Sequence, residues 1–157
     1  MALPLNAFYH EVAKSLAGCQ AVEQYLKLYL TTYFHYVRSR LDATIAFKLD
    51  ENYVRNLPLG PLIRLFENFS DAPLLVTKLR AFSKARNELS HRAITDCHDY
   101  DEFSEKAAFK MKPTLTKLQQ DADTICIALN ELRGWILVQD MPEVHDGDAE
   151  TPPATSA

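Results

Sequence analysis

What this chain does without narrows its class before any motif is read. No stretch approaches ~18 uninterrupted apolar residues, so no segment is expected to cross a membrane as a helix. The first ten residues, Met1 to His10, contain no basic region followed by an apolar run, and an export signal is not expected. The three cysteines, Cys19, Cys97 and Cys126, form no C-x-x-C pair, and an odd, scattered set supports neither a disulfide framework nor a zinc site. A soluble protein of the reducing cytoplasm, with no membrane partner and no cofactor, is the expectation. Internal repeats are missing too. The 157 residues leave room for one domain, and 47% hydrophobic content suffices for one continuous core.

Lysine and arginine are absent from the end of the chain. From Asp140 onward there are five acids (Asp140, Glu143, Asp146, Asp148, Glu150) and no basic residue but His145. The formal charge of −4 therefore averages an acidic end with a body of 17 basic and 16 acidic residues, close to neutral. Such a body is no general trap for polyanions. The end lacks apolar periodicity, which predicts a disordered acidic tail over 140–157 behind a single helical domain over 1–139.

What is present is helical periodicity. Phe8, Val12, Cys19, Val22, Leu26, Tyr29, Tyr33 and Val37 form one stripe of a long helix from about Asn6 to Arg40. Tyr25, Leu28, Leu30, Phe34 and Tyr36 add apolar surface on its other faces, more than one partner helix can cover. Residues 41–57 read as loop with some helix. A second helix starts at Pro58 or Gly60 on the stripe Leu59, Leu62, Ile63, Phe66 and Phe69, and a third opens at Ala72-Pro73, capped by Ser70 or Asp71, and runs to about Ile94. After a polar loop over Asp96–Glu102, a turn or two of helix from Phe103 is expected to end near Pro113. The last helix carries Leu115, Leu118, Ala122, Ile125, Leu129, Leu132 and Ile136 at strict 3-4 spacing, the seam of an antiparallel bundle partner, with Trp135 sealing its end. The fold expected is all-α, an antiparallel helical bundle of four or five helices.

One stretch breaks this patterning. At ~100° per residue, Leu75, Phe82, Leu89 and Ala93 share a face of the third helix, and Arg86 falls in the middle of it. An unpartnered buried guanidinium costs several kcal/mol, so Arg86 must meet a carboxylate, a polar cleft or another subunit. The opposite face carries Arg80, Lys84, Asn87 and His91. Between Lys78 and Arg92 there are five basic residues against Glu88 alone, a local phosphate site within a neutral body.

Arg86-Asn87-Glu88-Leu89-Ser90-His91 resembles the R-x4-H motif of the HEPN superfamily, in which a polar residue usually follows the arginine. Gly18 to Leu26 looks like that family's long first helix, and Leu59 to Phe66 like the start of its second. The resemblance implies a metal-independent endoribonuclease whose two motifs face one groove in a homodimer. Arg86 would hold the scissile phosphate and His91 would be the general acid or base, with Asn87, Ser90 and Glu23 in support and Arg80, Lys84 and Arg92 binding RNA. It also implies a toxin–antitoxin or phage-defence setting with an antitoxin protein as partner. Control by modification of a tyrosine two positions after the histidine is not expected, since that position is Ala93.

Other readings of the same residues stand beside this one. Arg86 can pair with a helix 1 carboxylate such as Glu23 as a purely structural tie, with His91 ending the helix against its dipole. A non-enzymatic helical regulator, similar to the mannitol operon repressor family, can use the same groove to bind nucleotide, RNA or protein. Glu88 and His91 also read as the Glu-x-x-His of di-iron bundles, but one copy is half a site, and no metal site is expected. The acidic end supplies the first test. A protein ending at Asp140 should melt at the same temperature as the full chain, and a fall in melting temperature or helicity would show that residues beyond Asp140 pack on the domain.

Overall fold

The computed structural model describes residues 3–93, 95–99 and 102–141; the acidic stretch over 142–157 lies outside the described residues. Five helices carry the fold: α1 (Leu5–Arg40), α2 (Glu51–Arg55), α3 (Leu59–Asn68), α4 (Pro73–Arg92) and α5 (Glu105–Asp140). A 3-10 turn at Thr95–Cys97 and a two-residue antiparallel ladder, β1 (His98–Asp99) with β2 (Glu102–Phe103), join α4 to α5. The all-α bundle of the sequence reading is the fold observed.

Its main interface joins α1 to α5, and these two helices run parallel. Glu11 meets Gln119, Gly18 meets Ala122, Thr32 meets Arg133 and Arg40 meets Gln139, so position rises together along both. The helix between them runs the other way. Lys78 shares a cleft with Asp121 and Ile125, while Arg92 shares one with Ala107 and Lys110, which makes α4 antiparallel to α5. Three long helices that alternate in direction leave the first and third parallel, so the seam of α5 faces an antiparallel α4 and a parallel α1 together.

That seam is buried as its spacing requires. Leu115, Leu118, Ala122, Ile125 and Leu129 are all in the core, with Leu132 and Ile136 half-buried at the far end. Contact at the level of Gly18 is so close that a Cβ there would stand 3.0 Å from the Ala122 Cβ. One turn away, Ser15 is fully buried and donates to the Glu11 carbonyl at 2.9 Å. Gln119 Nε2 lies 3.1 Å from Ser15 Oγ and 3.2 Å from Glu11 Oε2. Gln119 holds the Glu11 carboxyl below its usual range, with Lys14 adding to the effect against partial burial. Satisfied polar groups at one level of an apolar seam set the register of the two helices.

Aromatic residues close the other half of the bundle. Tyr29 meets Phe66 edge-on at 5.0 Å between centroids, Phe34 meets Phe69 at 5.3 Å, and Phe47 comes down on Phe34 at 5.9 Å. The Tyr29 hydroxyl donates to the Phe69 carbonyl at 3.2 Å, and burial first, Tyr33 second, pushes its pKa up to about 12. Leu30 and Phe34, part of the surplus apolar surface of α1, are thus covered by the chain itself, leaving Tyr25 and Leu28 exposed.

Three local expectations are corrected, and a fourth, that residues 41–57 hold some helix, is met. The cap of α4 is Ala72, not Ser70 or Asp71: Pro73 takes the first helical position, the cap must directly precede it, and the buried Ser70 hydroxyl finds no partner among the described residues. Residues 41–57 do hold helix, the short α2, whose cap Asp50 accepts from the Tyr53 N–H at 3.0 Å. Pro113 ends nothing, because α5 starts at Glu105 under a Ser104 cap and runs through it. A proline inside a helix costs ~3 kcal/mol, whereas burying Leu115, Leu118, Ile125 and Leu129 returns ~1.5–3 kcal/mol each, so packing wins. Trp135 seals no end; it stands off the seam at 69% exposure.

The Gly18–Ala122 contact generates a prediction. Gly18→Leu should destabilise the protein by ~1–3 kcal/mol in urea unfolding, because a branched side chain forces the two longest helices apart. Wild-type stability in this variant would mean that the helices do not meet at Gly18.

Candidate functional site

The site is built on the last two turns of α4. Leu75, Phe82, Leu89 and Ala93 are buried, and Arg86 lies half-buried among them against α1. Its charge reaches the Cys19 thiol, which burial pushes up and Arg86 pulls back. The guanidinium donates from Nη1 to Asn87 Oδ1 at 3.2 Å and, among the described residues, meets no carboxylate. That is the unusual feature of the site, a partly desolvated cation without a counter-charge.

The remaining motif residues are placed as follows. Arg80, Lys84, Asn87 and His91 are all exposed, so the polar face of α4 is where the spacing puts it. His91 stands in the last turn and its carbonyl accepts from the Thr95 hydroxyl at 3.1 Å. It lies five positions beyond Arg86, ~140° around the axis, and no hydrogen bond joins the two side chains. Asn87 is bonded to Arg86 and not to the imidazole. Ser90 donates to the Arg86 carbonyl at 3.0 Å, which turns its hydroxyl back onto the helix.

Two expected supports are committed elsewhere. Glu23 pairs with Lys27 at 2.8 Å, the i,i+4 partner on its own helix, and not with Arg86; a neighbour one turn away is reached with less loss of side-chain freedom than an arginine on another element. Arg80 pairs with Glu67 of α3 at 2.6 Å, which removes one cation from the basic stripe while leaving it on the surface. Among the described residues, the cations free of ion pairs on this part of α4 are therefore Lys84, Arg86 and Arg92.

Arg92 belongs to a feature that periodicity does not reveal. A cleft of about 360 Å³ opens between α4 and α5, with Arg92, Glu88 and Asp96 on one wall, Lys110 and Thr114 on the other, and Leu89 and Met111 at its apolar base. Its mixed charges hold no excess of either sign. Among the described residues, no three His, Cys, Asp or Glu side chains converge as metal ligands would. No helix there is long and apolar enough to cross a membrane.

No family model matches the chain, and no curated protein or solved structure matches it either. The site is thus argued from its own geometry. Since Arg86 has no carboxylate to leave behind, Arg86→Met should change unfolding free energy by less than ~1 kcal/mol, whereas breaking a buried ion pair costs ~3–5 kcal/mol. A loss in the latter range would mean that the guanidinium is a structural tie.

Proposed function

We propose that the protein is a metal-independent endoribonuclease whose active groove is completed by a second copy of the chain. The observation that carries this reading is Arg86, half-buried, bonded only to Asn87 and facing no carboxylate among the described residues. Such a group binds an anion with two parallel hydrogen bonds and no competing intramolecular pair. Exposed Lys84 and Arg92 extend positive charge to either side.

In the proposed reaction His91 takes the proton of a ribose 2′-hydroxyl as the 2′-oxygen attacks the adjacent phosphorus. The bond to the 5′-oxygen breaks, and that oxygen receives a proton. Histidine suits both transfers because its ordinary pKa lies near neutrality. Arg86 neutralises charge on the phosphorane as it develops. The ~140° between the two side chains calls for Arg86 and His91 of different copies to share a groove, and the exposed Leu5, Tyr9 and Leu16 on α1 offer apolar surface for the pairing. The resemblance of the hexapeptide to the HEPN motif supports the same reading and extends it to a toxin or phage-defence role.

Cleavage of single-stranded and structured RNA in EDTA tests it. His91→Ala should lower the rate by ~10²–10⁴-fold while leaving RNA affinity and stability nearly unchanged. Arg86→Lys should impair cleavage as well, because a point charge cannot replace the guanidinium fork. Undiminished cleavage in His91→Ala, or a strictly monomeric mass by light scattering at micromolar concentration, would defeat the composite site. RNA retained but never cut by wild type would favour a regulatory binding module instead.

A further inference from the structure

A second cleft lies in the other half of the molecule, between α1, α2 and α5, with a volume of about 460 Å³. Its lining includes Lys27, Thr31 and Thr32 of α1, Glu51, Val54 and Arg55 of α2, and Arg133 of α5, three cations with one carboxylate among them. Two of the three cations are matched: Lys27 bonds Glu23 at 2.8 Å, and Arg55 bonds Glu51 at 3.3 Å. Arg133 is not. Its Nε donates to Thr32 Oγ1 at 3.2 Å, and Thr32 in turn donates to the Leu28 carbonyl at 2.8 Å. That relay fixes the guanidinium plane and leaves both Nη groups without an acceptor among the described residues. The hydroxyl of Thr31 has no partner there either. Buried Val54 and the side of Leu28 supply an apolar wall.

We infer that this cleft binds a small organic phosphate monoester, its phosphoryl group on Arg133 and its body against Leu28 and Val54. A guanidinium held at Nε presents its two terminal nitrogens as a fork that fits two phosphoryl oxygens. The third oxygen falls to Arg55, with Thr31 and Lys27 beside it, and the ion pairs of the two cations can open toward a dianion. A carboxylate has only two oxygens and engages fewer of these donors. The volume lies within the ~300–1,000 Å³ typical of small-molecule sites, and one polar end with one apolar wall is their usual plan. None of this involves Arg86 or His91, so the cleft and the proposed ribonuclease site stand or fall separately.

Calorimetric titration of the full chain at constant ionic strength decides the matter, with phenyl phosphate as the probe and inorganic phosphate, sulfate and phenol as comparisons. Phenyl phosphate should bind saturably and raise the melting temperature; inorganic phosphate and sulfate should bind more weakly, and phenol not at all. Arg133→Gln should weaken phenyl phosphate at least tenfold. Arg55→Gln removes an exposed side chain that holds no other element in place, so it should fold normally and weaken binding several-fold. Absence of saturable binding by wild type overturns the inference. So does unchanged affinity in Arg55→Gln, or in a folded Arg133→Gln, and equal affinity for sulfate and phenyl phosphate would reduce the cleft to a nonspecific anion site.

Discussion

Close parallel packing of α1 on α5 is the constraint from which the rest of the structure follows. Each helix has 36 residues, ~54 Å of rise, and they meet closely at Gly18 and Ala122, beside the Ser15, Gln119 and Glu11 cluster. Two parallel helices of that length oblige the chain between them to travel back. The 20 residues of α4 rise only ~30 Å, so they cover the half of the α1–α5 pair that holds Cys19 and Leu115. The other half is left to α2, α3 and the aromatic cluster around Phe34 and Phe69. Each half thereby acquires its own cationic feature, Arg86 in the first and Arg133 in the second.

Much of this is legible in the residues because most of the packing obeys helical periodicity. The seam from Leu115 to Leu129 and the stripe from Phe8 to Tyr29 are buried as spacing demands. Where the reading fails, a non-local term outweighs a local one. Pro113 looks like a stop because its local cost is real, yet the helix continues because four buried aliphatic side chains beyond it outweigh that cost. Phe34 looks like surplus surface only until Phe47 and Phe69, from beyond the end of α1, are laid on it. Ser70 is the reverse case. It has the chemistry of a cap, but Pro73 fixes the start of α4 two residues too far on.

At the site, position along α4 was legible and partnership was not. An arginine amid Phe82, Leu89 and Ala93 stands out in any helical projection, and its half-burial follows. Which carboxylate it meets depends on competition. Glu23 has Lys27 one turn away on the same helix, so the acid that the sequence offers to Arg86 is already engaged at 2.8 Å. Arg133 is harder to find from sequence, since it flanks an apolar seam where a long cationic side chain is ordinary. Only the Thr32 bond and the placement of α2 make its free nitrogens face a cleft.

The geometry of α4 bears on how the proposed enzyme would have to work. Side chains five residues apart diverge by ~140° and rise ~7.5 Å along the axis, so one copy of α4 cannot set Arg86 and His91 on opposite sides of the same phosphate. Bending the helix would bring them closer, but α4 is continuous through both residues and hydrogen-bonded on to Ala93. A facing copy solves the problem without distortion, because each phosphate then meets the arginine of one chain and the histidine of the other. The proposed dimer would also fit the weak charge of the body: two modest basic surfaces brought together would attract RNA to a shared groove, while either alone, with Arg80 already paired, would hold a polyanion poorly. Catalysis would then depend on assembly, and dilution below the dimer's dissociation constant would switch the enzyme off without any change in fold.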